Sequence, residues 1–421
     1  MNIASRHEDP WVAALEEVRK FYEKLPYPAP ITSLDDNRER YRDPIRRRAL
    51  FHRLWPAERP SERQEILIAG CGTSQAARYA LREPESRVTA IDVSQTSLRH
   101  TRELKDKYAL ENLELHQLPL ESATDLGRSF DLIVCTGVLH HLPDPDLGLR
   151  ALRNVLNPKG ALQLMVYAAY GRAGIYMLQE YCRVLGIGTD TAELRDLGAL
   201  LEALPKDHPM AALLGRAKDF RQPGAMADAL LHPRDRAYTV PQLYAWLERC
   251  GMSFGRWLEQ APYLPQCGAL ANTPHAERLG ALPEPKQHAA VELFRGTLTQ
   301  HRLIAYRSDG PCAQPAIRFS GEDWRDYIPI RLPWALCIRD RAPPGYVAVL
   351  LNPAHEHRDL LLPINAWQDR LLGAIDGQRT LGDIVRDYER SGGAHRALPF
   401  FQRLWRYDQI VFDASRDRAA L

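Results

Sequence analysis

Between positions 65 and 168 short apolar runs alternate with stretches in which apolar residues recur every three or four positions. The runs 66–69, 87–91, 113–117, 132–135 and 161–167 have the length and continuity of strands buried on both faces. The stretches that follow the first two, through Leu81 and through Tyr108, have helical spacing, and so does 146–156. Strand alternating with helix predicts a doubly wound, mostly parallel sheet with right-handed crossovers. Upstream, Trp11, Leu15, Val18, Phe21 and Tyr22 mark a helix over 9–24, which the proline-rich YEKLPYPAP stops. Downstream, 173–250 turns helical, punctuated by Pro205, Pro209, Pro223 and Pro233, and strand-like runs return at 253–259 and 301–307. The simplest topology makes the last two a terminal antiparallel pair and stands 173–250 over one end of the sheet as a helical cap. Thr239 before Pro241 and Gly251 read as the start and stop of a helix in that cap.

The segment 309–315 (DGPCAQP) reads as a linker. Beyond it 316–415 forms a smaller α+β unit whose last part, from Ile364 to Phe412, reads as three helices and a closing strand. The chain thus divides into 1–308, enlarged by its cap, and 316–415; 421 residues are ample for two cores. No run approaches the ~18 apolar residues of a membrane span, so no membrane role is expected. The net charge of +2 supplies no global attraction for nucleic acid or anionic lipid. The Arg-rich 35–55 interleaves Asp35, Asp36, Glu39 and Asp43, and reads as the solvated face of a helix. Seven scattered cysteines without a C-x-x-C pair read as reduced thiols, and the charged N-terminus lacks a signal peptide's apolar region. Both point to a cytoplasmic protein. His355 and His357 have no third ligand near them in sequence, so no metal is expected.

The first strand-to-helix junction reads ILIAGCGTSQAARYAL. Gly70 and Gly72 permit a tight turn and close approach of a ligand, and the helix behind it offers free N–H groups. Asp92 ends the next strand, 22 residues after Gly70, where a carboxylate can take both hydroxyls of a ribose; its alternative role is a helix cap. A dinucleotide fingerprint wants glycine where Gln75 stands, which puts NAD second.

With these pieces, and with AIDVS, FDLIVCTGVLHHLPDP and LRNVLNPKGALQLMVY in order, the chain resembles the class I methyltransferases that depend on S-adenosylmethionine (SAM), over roughly 10–308. The resemblance implies a Rossmann-like seven-stranded sheet and SAM as cofactor. It places Gly70, Cys71, Gly72, Thr73, Ser74 and Gln75 around the amino-acid end of SAM, Asp92 and Val93 at the ribose, Leu118 at the adenine, and Thr136 and Gly137 along the methionine side. YEKLPYP is similar to a lid ahead of the glycine loop, which brings Tyr22 and Tyr27 to the reacting methyl, where aromatic faces attract a sulfonium. In similar enzymes the histidines of HHLPDP pack or hydrogen-bond, and His141 is the candidate general base where one is used. The chain departs from the family at Ile68, where an acidic residue is common, at Ser74, and at 118–120, which lacks the acid that often binds adenine.

The acceptor expected is an O or N nucleophile of a small metabolite, with a peptide or protein side chain second. The absence of an N/D-P-P-Y/F motif at CTGVLHH argues against nucleobase amines. Residues 364–413 are similar to winged-helix modules related to the peptide chaperone of pyrroloquinoline quinone biosynthesis, through DG-x-RT-x-x-x-I. Arg379, Arg386, Arg390, Arg396 and Arg403 there are offset by Asp376, Asp383, Asp387 and Glu389, so protein contact or packing is expected in place of DNA reading. A binding or regulatory protein on a degenerate methyltransferase fold is the remaining alternative. In the cap, Arg234, Arg236, Tyr238 and Trp246 are candidates to face the acceptor, against core packing for Trp246 and surface placement for the arginines.

Overall fold

The computed structural model describes residues 10–61, 63–215, 218–389 and 394–415. Position 9, the first of the helix expected over 9–24, and Arg390 lie outside them. In chain order α1 (Pro10–Lys24), α2 (Asp35–Tyr41) and α3 (Pro44–Leu54) precede β1 (Glu65–Ala69), α4 (Gln75–Arg82), β2 (Arg87–Asp92), α5 (Gln95–Tyr108) and β3 (Leu113–Gln117). Then come β4 (Phe130–Thr136), α6 (Pro145–Val155) and β5 (Leu156–Ala168). The cap consists of α7 (Ala173–Leu185), α8 (Thr191–Ala203), the single turn α9 (Ala211–Leu214), α10 (Pro223–Leu230), β6 (Ala237–Tyr238) and α11 (Val240–Arg249).

Contacts divide the chain into two compact units that interleave along the sequence. One holds 1–38, 63–251 and 296–301; the other holds 39–62, 252–295 and 302–421. In the first unit β3, β2, β1, β4 and β5 lie side by side, all parallel. The alternation read from the sequence is present, because runs such as ILIA on β1 are buried on both faces. The short β6, which has no sequence signal, runs parallel to β5. The cap has its own core of Ile175, Leu178, Leu194, Leu197, Met226 and Leu230, with Phe21 of α1 among them. Thr239 is the N-cap of α11 and forms a reciprocal capping box with Gln242, and Gly251 follows with φ +70°, so start and stop fall where expected.

The second unit contains the antiparallel pair β7 (Met252–Trp257) and β8 (Gln300–Arg307), with α12 (Ala276–Gly280) and α13 (Glu284–Arg295) between them. Further along come β9 (Ile328–Arg331), β10 (Leu336–Ile338), β11 (Ala348–Leu351), β12 (Leu362–Ile364), α14 (Ala366–Gly373), α15 (Leu381–Glu389), α16 (Ala394–Arg406) and β13 (Ile410–Asp413). Strands β10, β11 and β12 form one antiparallel sheet, and β13 pairs with β9. The three helices and closing strand are as read from the sequence.

Their core, however, is shared with distant segments. Ala261 and Cys267 lie in one cluster with Trp324, Leu350, Phe401 and Phe412. The buried Asp408 carboxylate accepts from Ala261 N at 2.9 Å and from Arg256 at 3.3 Å. The Arg-rich stretch is only partly solvated. Arg40, Arg42 and Arg47 are exposed, whereas Arg48 binds Asp413 at 2.8 Å and the Gly377 carbonyl, and Arg53 turns inward toward Glu259. Among the described residues all seven cysteines are free thiols, no helix is long and apolar enough to cross a membrane, and no group of three metal-ligating side chains occurs.

Candidate functional site

The glycine loop is built by two close approaches. Gly70 has φ +72°, and a Cβ there would stand 2.3 Å from the Val138 side chain; Gly72 has φ +54°, with the Tyr27 carbonyl and Pro28 ring each 3.3 Å from its Cβ position. Only glycine meets both the backbone angle and the crowding at Gly70. The loop after α1 is tied to this turn by the Thr73 hydroxyl, which donates to the Pro28 carbonyl at 2.8 Å. YEKLPYP therefore lies against the glycine loop.

Asp92 joins the two ends of the turn. One carboxylate oxygen accepts from Gly72 N at 2.8 Å and the other from Ser94 N at 2.9 Å. Burial raises its pKa, and these backbone donors act against that rise. The helix-cap role belongs to Ser94, which accepts from Ser97 N, so Asp92 keeps a lone pair on each oxygen for a ligand hydroxyl. Cys71, Thr73 and Ser74 are buried under the turn, and Gln75 opens α4. Burial pushes the Cys71 thiol well above its ordinary range, which makes it a packing residue. Thr136 ends β4, Gly137 follows it, and the next residue, Val138, occupies the space a Gly70 side chain would need.

Val93, Leu118 and Pro119 line an open groove of about 680 Å³ together with Val12, Glu16 and Arg19 of α1. Val93 and Leu118, expected from the sequence at the ribose and adenine, are thus on one wall of this groove. Glu121, the nearest acid after β3, does not line it. Its carboxyl lies toward Asp144 and Cys135, and burial pushes its pKa up. Ile68 is fully buried.

One residue the sequence did not single out holds α1 over the groove. Glu23 accepts from Gln95 N at 2.7 Å, Thr96 N at 3.0 Å and the Thr96 hydroxyl at 2.6 Å, and so caps the first turn of α5. Those bonds hold its pKa below the usual range in spite of partial burial.

Beside the loop lies a cluster of buried polar rings. Tyr22 donates to Asp228 at 2.8 Å, and Tyr167 donates to the other oxygen of the same carboxylate at 3.1 Å. Burial, then the Asp228 charge, drives both phenols well above their ordinary pKa, so both remain hydrogen donors. The His141 ring centre lies 4.2 Å from that of His140, 3.8 Å from that of His232 and 5.6 Å from that of Tyr167. Burial pushes His140 and His232 well below the usual histidine range, so these rings are neutral. Arg172 lies 3.4 Å over the Tyr167 ring and pairs with Asp235 at 2.9 Å. Tyr176 and Gln179 bond the same Asp235.

His141 has a defined tautomer. Its Nδ1 is 2.6 Å from the Arg234 carbonyl oxygen, which can only accept, so Nδ1 carries the hydrogen and Nε2 carries the lone pair. Arg234 N in turn donates to His232 Nδ1 at 3.0 Å, which fixes the turn that presents this carbonyl. Nε2 has no partner among the described residues. Arg234 thus reaches the site through its backbone, and Trp246 packs in the core, stacked on Tyr238 at 4.8 Å. Asp228, His232 and Tyr167 were missed. The signal available for Asp228 was a lone carboxylate in PGAMADAL, a helix buried almost throughout.

Residues 67–162 match a family model described as a methyltransferase domain. An uncharacterized protein of Synechococcus is 31% identical over 257 residues, 59% of this chain and 61% of that protein. Ubiquinone biosynthesis O-methyltransferase of Acinetobacter baylyi is 26% identical over 98 residues, 23% of this chain and 41% of its own length. The structure of PKMT2 from Rickettsia typhi in complex with AdoHcy superposes with a TM-score of 0.60 at 15% identity, covering 88% of this chain and 75% of that one. At that identity the likeness speaks for the fold. The chain spans about three-fifths of the Synechococcus relative and under half of the O-methyltransferase.

Proposed function

We propose that this chain, whose residues 67–162 are a methyltransferase domain on a Rossmann-like fold, transfers a methyl group from SAM to an O or N nucleophile of a small metabolite. The observation that carries the reading is a single end of the sheet with two halves. One half is the glycine loop with Asp92 and the α1 groove, and the other is the buried Tyr22, His141, Tyr167 and Asp228 cluster. Gly70, Cys71, Gly72, Thr73, Ser74 and Gln75 would cradle the amino-acid end of SAM, Asp92 and Val93 its ribose, Leu118 its adenine, and Thr136 and Gly137 its methionine chain. The fit rests on the lone pairs that Asp92 keeps beside its bonds to Gly72 N and Ser94 N and on the apolar wall of Val93 and Leu118. SAM supplies an electrophilic methyl on a positively charged sulfur.

The chain's own residues bind, orient and exclude water. Tyr22 and Tyr27 lie at the closing segment, and the buried rings keep the reaction space dry, so alignment of nucleophile, methyl and sulfur supplies much of the rate. His141 Nε2 takes the proton that an O–H or N–H nucleophile loses. Residues 1–308 with the cap 173–250 form the catalytic part of this reading, and 316–415 serve as a winged-helix-like accessory. A peptide side chain as acceptor remains the second choice, because this accessory is similar to peptide-binding modules.

Calorimetry with SAM and with NAD on the wild type and Asp92→Ala tests the reading. Micromolar SAM binding, weakened at least tenfold in the variant, is expected. No SAM binding by the wild type at millimolar concentration would overturn it and would favour a binding protein on a degenerate fold.

A further inference from the structure

We infer that Asp228 is a positioning residue that supplies the counter-charge for His141 once His141 has taken the acceptor's proton. The inference rests on the methyl-transfer reading above. In the step, a bond forms between the acceptor's O or N and the methyl carbon. The carbon–sulfur bond breaks with its electron pair going to sulfur, and the acceptor's proton passes to His141 Nε2. Sulfur loses its positive charge and the imidazole ring gains one. A buried imidazolium without a negative partner is costly.

The cap provides such a partner. Asp228 is 3% exposed, and its two oxygens are held by Tyr22 at 2.8 Å and Tyr167 at 3.1 Å. The rings of those tyrosines meet the His141 ring edge to face, at 6.5 and 5.6 Å between centres. The other groups around His141 do not compete for the role. His140 and His232 are neutral, Arg172 is spent on Asp235, and Arg234 offers only its carbonyl. Burial raises the Asp228 pKa, and a positive charge on His141 and the two tyrosine hydroxyls act against that rise. Two hydroxyl donors also fix where that charge stands, so it need not reorganise during the reaction.

The test reads His141 directly and needs no acceptor. The Cε1–Hε1 resonances of labelled histidine are followed from pH 5 to 9 in full-length wild type and Asp228→Asn, with His141 identified by its loss in His141→Gln. Loss of the Asp228 charge, held by the two tyrosines that meet the His141 ring, is expected to lower the His141 midpoint by about 1 pH unit. Asp228→Asn preserves shape and accepts one tyrosine hydrogen, and near-ultraviolet circular dichroism checks its packing. Should it not fold, Tyr22→Phe serves, because a carboxylate stripped of a donor protonates more readily and the midpoint falls again. A midpoint unchanged within 0.2 units in the folded variant overturns the inference. SAM calorimetry on the same samples separates this from failure of the methyl-transfer reading: wild type that binds no SAM ends that reading, whereas normal SAM binding with an unmoved midpoint ends only the role of Asp228.

Discussion

Replacing Glu23 with alanine removes three hydrogen bonds at once, to Gln95 N, Thr96 N and the Thr96 hydroxyl. Capping interactions at a helix N-terminus are each worth about 0.5–2 kcal/mol, and a carboxylate there also gains from the helix dipole by about 0.3–1 kcal/mol. The Glu23 side chain is 26% exposed, so water replaces part of what is lost. About 1–2 kcal/mol is the expected cost. For a unit of this size each kcal/mol corresponds to about 2–4 °C in Tm, so a fall of about 2–8 °C should appear in a thermal scan.

The functional consequence follows from where α1 lies. Val12, Glu16 and Arg19 line the groove opposite Val93 and Leu118, so a loosened α1 leaves one wall of the proposed adenine site undefined. If only the docked helix binds SAM, the apparent Kd rises by the inverse of the docked fraction, up to about tenfold for 1.4 kcal/mol. Acid provides a control. The Glu23 pKa is depressed in the folded state, so its contribution is present above the unfolded value near 4.5 and is lost as pH falls through the folded value. Wild type and variant should therefore converge in Tm below about pH 4. Equal Tm and equal SAM affinity at pH 7 would refute the clamp.

Gly72→Ala puts a methyl group 3.3 Å from the Tyr27 carbonyl and strains a backbone at φ +54°; a cost of about 1–2 kcal/mol and loss of SAM binding by calorimetry are expected. Asp413→Asn weakens bonds to Arg48 and His52 and should lower Tm at pH 7. Because the Asp413 pKa is depressed, chiefly by hydrogen bonds from His52, Ser415 and Arg48 that outweigh burial, that difference should shrink as pH falls below about 4. Truncation after Asp309 strips Trp324, Phe401 and Phe412 from a core that includes Ala261 and Cys267, so the shortened chain should bind a hydrophobic dye and aggregate; a monomeric, cooperatively melting product would contradict the shared core.

The strands and glycine turns were legible in the sequence because their signals are local. A buried parallel strand is a continuous apolar run, and a tight turn before a helix needs glycine within a few positions. Asp92 was legible for the same reason, standing at a strand end one crossover later. The second half of the site was legible only in part. Tyr22, Tyr27 and His141 were named from their neighbours in sequence, yet nothing local tells that Tyr22 meets a carboxylate 206 positions away. Asp228, His232 and the Arg234 carbonyl come from a cap whose helices report only their own amphipathic faces. The departures at Ile68 and Leu118 were visible, but that Glu121 turns away from the groove was not, because a side chain's direction is set by packing.

By itself the sequence determined the alternation of strand and helix, the glycine turn and the carboxylate beside it. Each depends on residues within one element or one turn, where the hydrophobic period and backbone sterics act. The tertiary structure decided which distant groups share a buried space: Glu23 with the start of α5, Asp228 with two tyrosines, His141 with the Arg234 carbonyl. Burial raises the cost of an unpartnered polar group from slight to several kcal/mol. These pairings therefore acquire their energy, and the histidine its defined tautomer, only after the cap has closed water out.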